Sequence, residues 1–136
     1  MRFFLDNCLS HRYARSLHAL SEKNGHSVTH LQERFGASTQ DQDWLAELGQ
    51  ERDWVIVSGD SRIARNTVLQ RTWKRTGLTA FFLAPGWLKL RYWDQAALLV
   101  SWWPRIIEQA AQVSPGSGFE VPARRAGRFK PVILPW

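Results

Sequence analysis

The chain has one cysteine and one methionine in 136 residues. A lone Cys8 excludes an internal disulfide and fits a reducing compartment. Long apolar runs are also missing. The opening MRFFLDNC is too short for a secretory core and turns polar at once, and no later stretch is long and apolar enough to span a bilayer. A cytoplasmic protein with no membrane partner is expected. Acid is scarce too: 12 Asp and Glu stand against 18 Lys and Arg. The net charge of +6 and the pI near 10.2 favour a polyanionic partner.

What is present describes a folded domain. A 44% hydrophobic and 22% charged composition is close to a globular average, and the length suffices for a core without staples. Arg62, Arg65, Arg71, Lys74 and Arg75 cluster with no acid among them. They make either a polyanion-facing stripe or a solvated helix face.

The chain reads as strands alternating with helices. RFFL (2–5) is a short buried strand that stops at Asp6-Asn7. From Leu9, apolar Leu9, Tyr13, Leu17 and Leu20 keep helical spacing until Asn24-Gly25. HSVTHL (26–31) alternates as a second strand. Thr39 and Gln42 have the form of a capping box for a helix facing inward through Trp44, Leu45 and Leu48, with Asp41 and Asp43 in its first turn. WVIVS (54–58) is a third strand, leaving through Gly59-Asp60. Residues 63–75 read as a helix, LTAFFLA (78–84) as a fourth strand, and 93–112 as the longest helix, with Pro104 as a kink or a new start. Residues 113–136 read as a basic, proline-containing tail with little core of its own, appended to a domain of residues 1–112. The expected fold is α/β, a three-layer α/β/α sandwich around a mainly parallel sheet.

In such sheets ligands meet the carboxyl ends of the strands. Asp6 follows the first strand and Asp60 the third, so both emerge on one rim, and a helix starting at Asp41 can aim its acid at the same cleft. Carboxylates gathered so closely repel one another unless a cation lies between them. Oxygen-only ligands select Mg²⁺ or Mn²⁺, which activate water and stabilise a phosphate under attack. A plainer reading makes Asp6-Asn7 and Asp41 helix caps and Gly59-Asp60 a turn.

MRFFLDNCLS, NGHSVTHL, STQDQDWL and WVIVSGDSR, in that order, resemble the small PIN-like domains related to VapC toxins, over roughly residues 1–84. The resemblance implies a metal-dependent endoribonuclease, the toxin of a toxin–antitoxin pair. Asp6, Asp41 and Asp60 match its acidic catalytic and metal-binding positions, and Ser58 matches the small hydroxyl residue before the last acid. RNA is the implied substrate and an antitoxin protein the implied partner, with a homodimer as a further option. The pattern departs in one respect: no acid follows between Asp60 and Asp94. The rival is therefore a catalytically weak PIN-like module that binds RNA or a protein. A receiver-like phosphoacceptor domain is disfavoured, because it needs an acidic pair after the first strand and a late lysine.

Other residues stay open. Asp43 and Glu33 are alternatives to Asp41 as the helix acid. Asn7 either binds the metal's water or substrate, or caps a helix. Arg62 and Arg65 either hold the scissile phosphate or lie on a solvated face. Cys8 reads as a small buried residue, and His11, His18, His26 and His30 as structural or surface. Among eight tryptophans, Trp44, Trp54, Trp73 and Trp103 fit core faces, whereas Trp87, Trp93 and Trp102 fall where a patch can be exposed.

Overall fold

The computed structural model describes residues 1–36, 38–59 and 66–132. Six strands form one sheet in the order β2-β1-β3-β4-β5-β6. They are β1 (Arg2–Leu5), β2 (Ser27–His30), β3 (Trp54–Ser58), β4 (Thr79–Leu83), β5 (Gly118–Val121) and β6 (Lys130–Pro131). All pair in parallel except β6, which runs antiparallel to β5. The helices are α1 (His11–Ser21), α2 (Leu31–Arg34), α3 (Asp41–Glu51), α4 (Thr67–Thr76) and α5 (Tyr92–Gln112).

Strand alternation divides the core in two, because successive side chains point to opposite faces of a sheet. Phe3, Leu5, Val55, Val57, Phe81 and Leu83 face α1 and α5, packing on Leu17, Leu99, Trp102 and Ile106. Phe4, Ile56, Ala80 and Phe82 face the other way, onto Trp44, Leu45 and Leu48 of α3 and Trp73 of α4. This is the expected α/β/α sandwich with a mainly parallel sheet. It also places α1 and α3 on opposite faces, while β2 and β3 flank β1 on opposite sides. The chain reverses its winding between β1 and β3, and a crevice opens beyond their carboxyl ends.

Helix starts depart from the sequence reading. α1 begins at His11 with Ser10 as its cap, the Ser10 hydroxyl accepting from the Arg12 amide, so neither Asp6 nor Asn7 caps it. The Thr39/Gln42 box does not form. Gln40 precedes α3 without a side-chain cap bond, and the Thr39 amide is taken by the Gly36 carbonyl in a turn. Asp41 is thus the first residue of the helix rather than its cap. α5 continues through Pro104 as one helix of 21 residues. The start of the helix expected over 63–75 falls partly outside the described residues; α4 is described from Thr67, with Asn66 as its cap.

The larger correction concerns the C-terminal segment, which carries core. β5 pairs with β4 and buries Phe119 and Val121, and Phe129 packs on the same cluster. Only the alternation in GFEV marks this strand, and four residues between prolines and glycines give a weak period-two pattern. Trp87 and Trp102 are buried under this segment, contrary to the expectation of a patch. The Trp87 indole donates to the Val121 and Pro122 carbonyls, and the Trp102 indole to that of Arg124. Trp93 alone of those three is exposed, at 80%. No described helix is long and apolar enough to cross a membrane.

Candidate active site

Asp6 is the first residue past β1, and Leu5 stands opposite Val57 in the β1–β3 register. Asp6 therefore comes level with Ser58, the last residue of β3. Its carboxylate is 2% exposed. Ser58 donates its hydroxyl to Asp6 Oδ2, while the amides of Cys8 and Gly59 donate to Oδ1 at 3.1 and 3.3 Å. The Leu9 amide donates to the Asp6 carbonyl at 3.2 Å, closing the turn that leads into α1. That turn carries Cys8 outward, so the cysteine is exposed rather than buried.

Burial raises the Asp6 carboxyl from its ordinary 3.8 to about 6. The hydrogen bonds from Ser58, Gly59 and Cys8 pull the other way, and the nearby Asp41 carboxylate adds a smaller upward push. Asp41 is thereby the acid of α3 whose charge reaches Asp6. Its Oδ1 accepts from the Trp44 indole at 3.1 Å, which ties the helix start to the core. Asp43 lies in the same first turn but is exposed. Glu33 is exposed on α2. Asn7 is exposed, its amide oxygen accepting from Gln32 at 2.7 Å. Asp60, Arg62 and Arg65 lie outside the described residues.

Two supports escaped the sequence reading. His30 is fully buried; its Nδ1 accepts from the Gln32 amide and its Nε2 donates to the Leu9 carbonyl at 2.6 Å, tying the end of β2 to the turn after Asp6. Only its inward place in the alternation SVTH marked it. Gly59 is the second. A β-carbon there would stand 3.0 Å from Cys8 Cβ and 3.2 Å from Leu88 Cδ2, so the smallest residue lets the exit of β3 pass beneath the Asp6 turn. No local pattern announces Leu88, which arrives from the segment after β4.

Among the described residues no three His, Cys, Asp or Glu side chains make a metal-holding group; Asp6 and Asp41 are two acids on one side of the sheet. The donor chemistry still fits a hard divalent cation. The functional groups here are carboxylate and hydroxyl oxygens, and a buried carboxylate repelled by a neighbouring one is relieved by positive charge.

The sequence matches the PIN like domain family over residues 1–85, a span that contains β1 to β4, Asp6, Asp41 and Ser58. No curated protein and no solved structure matches it. A match over more than half of the chain, on a fold of the expected order, shows that the protein belongs to the PIN like domain family.

Proposed function

We propose that this protein is a metal-dependent endoribonuclease, with Asp6, Asp41 and Asp60 as ligands of Mg²⁺ or Mn²⁺. The observation that carries the reading is Asp6: a carboxyl group buried at the carboxyl end of β1, raised by that burial and by Asp41, in a crevice where strand order reverses. Burying such a group costs stability, and a site is the usual place where that cost persists. Ser58 and the amides of Cys8 and Gly59 fix the carboxylate's direction, and the Trp44 indole fixes that of Asp41. When bound, the cation supplies an activated water and charge neutralisation at the scissile phosphate. The basic surface, including Arg62 and Arg65 next to Asp60 in the sequence, would draw in the RNA.

A toxin role with an antitoxin partner is part of the proposal. It is supported by an apolar groove of about 570 Å³ between α1 and α5, walled by Tyr13, Leu17, Tyr92, Ala96 and Val100, with exposed Trp93 on its rim. The lack of any acid between Asp60 and Asp94 favours a second reading, a binding module of low activity.

Incubating mixed RNAs with the protein and Mn²⁺, beside Asp6→Asn and Asp60→Asn, decides between them. Cleavage lost in both variants supports the nuclease; equal products from all three proteins overturn it. Retention of RNA without cutting favours the module. A Mn²⁺-dependent rise in Tm that Asp6→Asn abolishes checks the metal site apart from activity.

A further inference from the structure

Asp41 also walls a second space. On the side of the sheet that carries α3 and α4, a cleft of about 390 Å³ lies between the starts of these two helices. Besides Asp41 it is lined by Gln40, Gln42, Asp43, Asn66, Val68 and Leu69. Asp43 is exposed, and its carboxylate has neither a hydrogen bond nor an ion pair with any described residue. Asn66 uses its amide oxygen to cap α4, accepting from the Val68 and Leu69 amides at 2.9 and 3.2 Å, which leaves its NH₂ to donate. Val68 is 55% exposed, an apolar surface in an otherwise polar cleft.

The described lining contains no cation. A phosphate entering the cleft would meet two carboxylates and be repelled. A nucleobase fits the same lining, because its edge is hydrogen-bonding, its faces are apolar and it carries no charge. A carboxylate accepts best from a base with two parallel N–H donors, which on guanine are the ring N1–H and the 2-amino group. Uracil would turn carbonyl oxygens toward Asp43.

Building on the nuclease reading, we infer that this cleft is a base-recognition subsite beside the catalytic crevice, with Asp43 selecting a guanine edge, Asn66 and the two glutamines completing its hydrogen bonds, and Val68 against its face. Its place next to Asp41 makes the selected base a near neighbour of the scissile phosphate. Asp43 thus acts on specificity, apart from the ion-binding task of Asp6 and Asp41.

The test is titration with the four ribonucleoside 5′-monophosphates, followed by NMR at the backbone amides of residues 40–43 and 66–69. All four probes carry the same phosphate, so differences report the base. GMP should bind at least tenfold more tightly than UMP, and Asp43→Asn should remove that margin; the side chain is exposed, so the fold is retained. The inference fails if no monophosphate moves these amides, or if Asp43→Asn keeps the same preference. The companion measurement maps RNA cleavage ends. Asp6-dependent cleavage with the same base preference in Asp43→Asn overturns the subsite and leaves the nuclease standing. Base-selective shifts without any Asp6-dependent cleavage overturn the nuclease and leave the cleft as a base-binding site.

Discussion

Ser58 donates its hydroxyl to Asp6 Oδ2, a bond between residues 52 apart that the parallel register brings level at the ends of β1 and β3. It is buried, so removing the donor leaves a carboxylate oxygen without that partner and without water to replace it. Ser58→Ala should therefore destabilise the protein by about 1–3 kcal/mol in urea unfolding. Because this bond lowers the Asp6 pKa, the same variant should carry the carboxyl still higher, read by NMR titration.

Asp6 also predicts how stability depends on pH in metal-free buffer. Below its ordinary 3.8 the group is protonated folded or unfolded, and above about 6 it is ionised in both states. Between these values the folded protein holds a proton that the unfolded chain has lost, so stability is greatest at the acid end and falls as pH rises through the window. The fall attributable to this group is about 3 kcal/mol, from 1.36 kcal/mol for each unit of the difference. Asp6→Asn should lack this component: at pH 7 it should be more stable than wild type, with the gap closing toward pH 4. An unchanged gap across that range would assign the Asp6 burial no energetic consequence.

The parts of this fold that were legible in sequence share one property, a repeated physical signal. β1, β3 and β4 are unbroken apolar runs, as parallel strands buried on both faces must be, and α5 keeps its spacing over five turns. Asp6 and Ser58 followed, because a polar residue that ends such a run must lie on the rim. The choice of Asp41 over Asp43 did not follow, since both stand in the first turn of α3 and only three-dimensional placement says whose charge reaches Asp6. Trp87 and Trp102 were misread with the C-terminal segment, and for one reason. Their indole partners are carbonyls of residues 121, 122 and 124, contacts between distant stretches that leave no periodic trace.

Gly118 begins β5 directly against Trp73, and a β-carbon there would lie 2.9 Å from ring atom Cζ2, with the neighbouring ring carbon closer still. Trp73 has no room to yield. It is 2% exposed, its indole donates to the Leu78 carbonyl at 2.7 Å, and its ring meets Phe82 edge-on at 5.2 Å. Gly118→Ala should destabilise by about 1–3 kcal/mol through overpacking, whereas Gly77→Ala, with open space around the added carbon, carries only the strain of a φ of +66°. Paired thermal melts of the two variants separate steric from conformational penalties.

If residues 118–132 are core rather than appendage, their removal must unfold more than themselves. β5 covers the outer edge of β4, and the segment beyond it is held by Arg105, which lies 3.8 Å above the Trp102 ring and donates to the Gly127 carbonyl at 2.7 Å. Phe129 closes the same corner, 5.1 Å from Trp102 and 5.3 Å from Phe81 between ring centroids. Phe129→Ala should cost about 2 kcal/mol, less than a fully buried phenylalanine because the ring is only partly covered. A chain ending at residue 117 exposes Phe81, Leu83, Trp87 and Trp102 together and strips β4 of its partner. It should lose cooperative unfolding by circular dichroism and near-ultraviolet signal from its tryptophans. A cooperative melt with wild-type Tm in that truncated chain would return the segment to the status of a tail.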